Sequence, residues 1–384
     1  MRASCTSLRL FQKSPYFSSL TSKSYLPIWR RSYSTEDGIS QGRFETIRDE
    51  MLKRPAQLTW DFMTPTNSLL FSTAISDFVP KHFLPTVYQR SGPHPEKVHP
   101  NTRLPSGHHL VYFPLQKPAS ELCPDGTDPF HSPGDPFTRR MWAGGSIEFF
   151  NRLKLDSTPV VCRETIDDVT VKGPEGQERI FVNVLREYVQ KSDLDKLTNG
   201  ESLTKGNISG IRELRSLVFM RGLTEEQARE DLANSLKPRE RVVKGPHTPD
   251  FSLPLTPTTT LLFQYSALTY NAHKIHLSHP EAEGRRNLLV HGPLCLQLML
   301  AAVGSRIGSA DFILKIDYRN LAPLYVDEPM RICTRQIHPK LTENPRRPRT
   351  WAVWIEDQDG SLCVRGTALS EMINPESIKG ERVL

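Results

Sequence analysis

The segment LLVHGPLCLQLMLAAV, Leu288 to Val303, is apolar on every side. A helix with no polar face has to be buried. His291, Gly292, Pro293 and Gln297 interrupt the run, which is also short of the ~20 residues that span a bilayer. It therefore predicts a core helix, with the glycines at 304 and 308 suited to stopping it. Strand-like runs follow: FILKIDYRNL, MRICTRQI, then WAVWIE and SLCVRGTAL joined through Asp359-Gly360, a hairpin signal.

One long buried helix wrapped by an antiparallel sheet is the α+β architecture called a hot dog. A faint repeat extends it. IEFFNRLKLDSTPVVCRE resembles LKIDYRNLAPLYVDEPMRICTR, and each copy closes with a hairpin. The chain is thus expected to be a double hot dog, because a half-sheet with one open helix face is better buried in duplicate. The first half is assigned to 40–190, a charged helical bridge to 191–245 and the second half to 246–384. Within them, RFETIRDEMLKRP and NSLLFSTAISDFVP predict helices, and HLVYFPL and TTTLLFQYSAL predict strands. MWAGGSIEFF, TPVVCRETIDDVTVKG and RIFVNVLREYV predict the first half's sheet. Thr224 to Gln227 reads as a capping box.

Residues 1–33 hold six basic residues, many serines and no Asp or Glu, the composition of a mitochondrial transit peptide with a cut expected after Tyr33. Of 49 basic and 43 acidic residues, those six account for the whole excess. The remainder is neutral, which removes the field a nucleic-acid binder uses. Cysteines at 123, 162, 295, 333 and 363 form no Cys-x-x-Cys pair and read as free thiols of a reducing compartment such as the matrix.

Chemistry concentrates in TYNAHKIHLSH, Thr269 to His279, where His273, His276 and His279 recur every third residue. A metal reading would want a helix across all three and a thiolate such as Cys295; the expected preceding strand and Pro280 count against that helix. In an acid/base reading one neutral imidazole works as a base near neutral pH.

Asn271 to His276 resembles the Asp-x-Asn-Pro-(Ile/Leu)-His signature of the MaoC-like (R)-specific enoyl-thioester hydratases, with Asn271 at the Asp and His276 at the histidine. His273 and Lys274 stand in place of Asn-Pro. The family's downstream His-Gly matches His291-Gly292. Ser266 through His276, together with VHGPL and Arg140-Met-Trp-Ala-Gly-Gly145, is similar to the hydroxyacyl-thioester dehydratase type 2 and mesaconyl-thioester hydratase-like subfamily. The resemblance covers roughly 45–190 and 250–375.

The resemblance implies a (3R)-hydroxyacyl-thioester dehydratase of mitochondrial fatty acid synthesis. The alternatives are a hydratase of short branched or dicarboxylic acyl-CoA, and a non-catalytic acyl-thioester-binding protein. His276 would be the base and Asn271 would position the hydroxyl or a water, with His273, His279 and Glu283 as reserve proton donors. Gly292, at the helix start, would let the thioester oxygen approach backbone N–H groups, with His291, Tyr270 and His273 beside it. Trp142, Gly144 and Gly145 would line the acyl pocket. Arg285, Arg286, Lys315 and Arg319 would meet CoA phosphates or an acidic acyl carrier protein. No cofactor or metal is expected, since the phosphopantetheine arm arrives with the substrate. A homodimer is a possible assembly; no nucleic acid and no membrane span are expected.

Overall fold

The computed structural model describes residues 40–150, 153–199, 210–237, 241–278, 283–308, 311–337 and 348–372. The expected transit segment and His279 lie outside them. The first half runs α1 (Gln41–Leu52), β1 (Gln57–Phe62), α2 (Pro65–Ile75), α3 (Thr86–Ser91), β2 (Arg139–Phe150), β3 (Pro159–Lys172), β4 (Arg179–Gln190), α4 (Lys191–Thr198), β5 (Gly210–Met220) and α5 (Glu225–Ser235). The second runs β6 (Phe251–Leu255), α6 (Thr259–Thr269), α7 (Gly292–Gly304), β7 (Asp311–Asn320), β8 (Met330–Ile337), β9 (Arg349–Glu356) and β10 (Leu362–Met372).

Among the described residues ten strands form one antiparallel sheet, in the order β1-β3-β4-β5-β2-β7-β10-β9-β8-β6. Read outward from the centre, each half repeats the other strand for strand, which is the double hot dog the repeat implies. β2 and β7 join the halves, with Gly144 opposite Arg319 through Glu148 opposite Lys315. A sharper internal signal marks the same duplication: TPTNSLLF (Thr64–Phe71) and TPTTTLLF (Thr256–Phe263) match at six of eight positions, each just after an edge strand and at the start of a helix. The core is one face of the sheet against α2, α6 and α7, and Leu294, Leu296, Met299 and Val303 of α7 are fully enclosed.

Three expectations fail. TTTLLFQYSAL is the helix α6. The Thr258 side chain accepts from Leu261 N and caps it, and Leu261, Leu262, Tyr265 and Ser266 are buried at helical spacing, so packing against α2 outweighs the threonines' strand preference. HLVYFPL is no strand. It opens with a 3₁₀ turn at His108–Val111 after Gly107, whose φ of 88° is left-handed, and Asn67 Nδ2 donates to Val111 O (3.0 Å). The 191–245 bridge carries α4 and α5, and Thr224 does form a capping box, but it also supplies β5, an inner strand between β4 and β2. β5 reads as charged because its inward Glu213, 0% exposed, is ion-paired with Arg215 and accepts from Tyr188 OH (2.6 Å). No described helix is long and apolar enough to cross a membrane.

Candidate active site

α6 ends at Tyr270, whose φ of 51° turns the chain left-handed, and Asn271 N donates back to Ser266 O (2.8 Å). Asn271 Oδ1 accepts from His273 N (3.0 Å), which fixes the bend into the short turn Lys274–His276. The loop 123–128 of the first half braces it. Lys274 N donates to Asp125 O (2.9 Å), and His273 Nε2 lies 3.5 Å from Asp125 Oδ2. Gly126 is required there: a Cβ would fall 2.0 Å from Ala272 O, at a φ of +87°. Gly126→Val is expected to unseat the histidine loop, seen as lost turnover with the core sheet still melting cooperatively.

His276 is buried, with Nδ1 2.7 Å from Leu289 O. A carbonyl only accepts, so Nδ1 carries the proton and Nε2 keeps its lone pair. The ring stacks on His291 (centroids 3.7 Å, planes 21° apart), and His291 Nε2 is 2.9 Å from Ser266 Oγ. His291 is the residue before α7, and Gly292 opens that helix with Pro293 in its first turn. The first-turn N–H groups have no acceptor within the helix. Gly292 also packs tightly: a Cβ would sit 3.1 Å from Asn320 Nδ2 and 3.2 Å from Trp142 Cβ.

A cavity of about 250 Å³ opens onto these groups, with Trp142, Asn271, His273, His276, Gly292 and Asn320 in its wall. Tyr270, 64% exposed, is on the same wall, and His291 stands behind His276 rather than in it. Trp142 is held from both sides, Nε1 donating to Tyr318 OH (2.6 Å) and Arg215 lying 4.6 Å over its ring.

Other sequence candidates lie elsewhere. Gly144 and Gly145 do not line the cavity; they are at the β2–β7 seam and the β2–β5 pairing, where a Cβ would meet Tyr318 O at 2.4 Å and Leu214 O at 2.1 Å. Arg285, Arg286, Lys315 and Arg319 are absent from the cavity wall too. Arg286 grips Glu328 with two nitrogens at 2.6 Å, Lys315 lies between Glu148 and Asp317, and Arg285 contacts Met141 Sδ. Glu283 is paired with Arg139 (3.0 Å). Of the first-half wall, sequence reasoning named Trp142 but missed the charged residues. There Arg186 Nε holds Glu164 Oε2 (2.8 Å), and Glu164 Oε1 holds His131 Nε2 (3.0 Å). Asp128, His131 and Glu164 are the one group of three metal-capable side chains among the described residues, their ligand atoms within 4.8 Å. With Glu164 engaged by Arg186 and His131, the arrangement is an ion-pair network.

Burial pushes the His276 pKa down to about 4, with Arg140's charge adding to it and the Leu289 hydrogen bond opposing. His273 and His291 are also held well below the usual range by burial, and His108 and His109 to about 3. These rings are neutral in the fold but protonate in the unfolded chain near pH 6.5. Unfolding therefore takes up protons as pH falls from 6.5 towards 4. Each histidine costs the fold about 1.4 kcal/mol for every pH unit traversed in that window. Denaturant midpoints are expected to fall steeply there and to be flat from pH 7 to 8.

A family model described as hydroxyacyl-thioester dehydratase type 2 matches residues 107–326, more than half of the chain. A Schizosaccharomyces pombe protein named hydroxyacyl-thioester dehydratase type 2, mitochondrial, is 30% identical over 246 residues, 60% of this chain and 78% of the relative. A mesaconyl-C(4)-CoA hydratase of Chloroflexus aurantiacus is 29% identical over 238 residues, 60% and 75% of the two chains. Among solved structures, a MaoC-like dehydratase from Phytophthora capsici superposes with a TM-score of 0.55 at 14% identity, over 86% of this chain and 99% of that one.

Proposed function

Because the chain belongs to the hydroxyacyl-thioester dehydratase type 2 family, we propose that it is a hydro-lyase which removes water from (3R)-hydroxyacyl thioesters and, in reverse, hydrates trans-2-enoyl thioesters. Its setting is fatty acid synthesis in the mitochondrial matrix, with the acyl group on a carrier protein or CoA. The names of the two relatives, a dehydratase and a hydratase, describe loss and gain of water. The observation that carries the reading is His276, its Nδ1 tied to Leu289 O, on the wall of one cavity with Gly292 at the start of α7.

The chemistry runs on these groups. His276 Nε2 takes the proton from C2, and the C2–H electron pair moves into the thioester as an enolate. Backbone N–H groups at the α7 start receive the growing charge on the thioester oxygen; one such donor is typically worth about 2.7–4 kcal/mol in the transition state. The C3–O bond then breaks, the enolate electrons form the C2–C3 double bond, and His276 passes its proton to the departing hydroxyl as water. Base and acid are one imidazole working on one face of the substrate. Asn271 has its Oδ1 committed to His273 N, leaving Nδ2 to hold the hydroxyl. The His291 stack and Ser266 hold the base in orientation.

The test is a panel of crotonyl and decenoyl thioesters, on CoA and on acyl carrier protein, followed by loss of the enoyl-thioester absorbance. Hydration is expected; a folded protein that hydrates none of them overturns the proposal. Faster turnover on the carrier-protein forms would support the fatty acid setting, and a clear CoA preference would count against it.

A further inference from the structure

Arg140 lies in the wall of the His276 cavity and, among the described residues, has no close counter-ion. Among the described residues its one hydrogen bond is a long one, Nη1 to Asp128 O at 3.4 Å, and no carboxylate oxygen lies within 4.0 Å of it. Its neighbours in the same wall are matched: Arg186 by Glu164 at 2.8 Å and Arg215 by Glu213 at 2.5 Å. The charged and titratable groups around Arg140 come from three places. They are Cys123, Asp125 and Asp128 of the loop before β2, Glu164 of β3, and His273 and His276 of the histidine loop. Adjacent Arg139 is taken up by Glu283. Asp125 and Asp128 act on Arg140 from a distance, and both are engaged elsewhere. Asp125 Oδ1 accepts from Thr127 N and Oδ2 lies near His273, while Asp128 Oδ1 accepts from Phe130 N.

A guanidinium held in a partly desolvated wall without a close anion is costly in the resting enzyme. A charge arranged this way accelerates a reaction when its anion exists only in the transition state, because the resting state then gains nothing from it. The proposed reaction creates such an anion in this cavity. We infer that Arg140 is the counter-charge for the enolate formed when C2 loses its proton, acting beside the α7 N–H groups; the inference rests on the proposed hydration reaction. The same positive charge also bears on His276, where it adds to the burial that holds the ring neutral.

The test compares the wild-type enzyme with Arg140→Met and Arg140→Lys, measuring kcat/KM for crotonyl-CoA hydration across pH. The Met variant is expected to lose about 100-fold from the plateau, the scale of one missing oxyanion contact. Its acid limb is expected to move to higher pH, since His276 protonates more readily without the neighbouring cation. Lys is expected to restore the limb and part of the plateau. An unchanged plateau overturns the inference, whatever the limb does. A second readout needs no variant: acetoacetyl-CoA, whose enolate absorbs in the near ultraviolet, is expected to ionise at lower pH when bound to wild-type enzyme than when free. Unchanged ionisation overturns the inference even if Arg140→Met fails to fold. A glutaconyl thioester, crotonyl with a terminal carboxylate, separates the rival role: if it is strongly preferred and that preference vanishes in Arg140→Met, the cation reads a substrate carboxylate and the enolate assignment falls. Wild-type enzyme that hydrates no thioester removes the proposed function itself, and this inference with it; normal turnover that ignores Arg140 removes this inference alone.

Discussion

His276→Ala is expected to fold and to hydrate crotonyl-CoA about 10²–10⁴-fold more slowly than the parent, the range lost when a general acid/base is removed. The upper end is expected because no other group on the wall is placed as this one is. Nδ1 is fixed by Leu289 O, and Nε2 alone can exchange the proton. His273, the nearest alternative, has its ring 5.5 Å away at 85° to that of His276 and faces Asp125. The variant should not be a folding mutant. It removes a ring whose proton affinity is already suppressed by burial, so it should lose less stability than the parent as pH drops from 6.5 towards 4. Kinetics and a denaturant titration at pH 5 and pH 7.5 check both halves. Turnover within tenfold of wild type would remove His276 from the chemistry.

Gly145→Val has the largest expected effect on stability. Gly145 lies on β2, and the added Cβ would begin 2.1 Å from Leu214 O, where a backbone carbonyl has no room to withdraw. Next to it, a Cβ on Gly144 would meet Tyr318 O at 2.4 Å. The bulkier side chain must pry β2 from β5 at the centre of the sheet. A cost of about 4 kcal/mol or more is expected, placing it in the rare tail of single substitutions. Gly42→Ala is the control: nothing lies within 4 Å of its Cβ position, it sits in α1, and a gain of about 0.5–1 kcal/mol is expected. Urea midpoints of the two variants give the comparison. A Gly145→Val protein as stable as the parent would mean that the seam yields.

What could be read from the chain follows from how local each signal is. α7 was legible because thirteen consecutive residues carry it, and the β9–β10 hairpin because Gly360, with φ at 75°, occupies the turn the sequence marks. His276 and Gly292 were legible as a pair because they are sixteen positions apart on either side of one loop. α6 was misread because threonines favour strands locally, while the burial of Leu261, Leu262, Tyr265 and Ser266 that makes it helical depends on neighbours far away in sequence. β5 was hidden because a buried glutamate with a buried partner looks, in sequence, like surface. Asp125 and Glu164 reach the site from the other half, more than a hundred positions upstream of His276, where no local pattern points to them; Arg140 comes from the same half, inside the Arg140–Gly145 patch, which carries the resemblance but no sign of that residue's role.

The seam between β2 and β7 places on a single polypeptide what two equal subunits would otherwise contribute. Identical subunits must mutate together, so any change that suits one role is imposed on the other. Here each copy is free to differ: one keeps the imidazole and its helix, while the other has filled the facing wall with Arg186, Glu164 and Arg215, the last backed by Glu213. Duplication within one gene thus lets a single crevice acquire unlike sides.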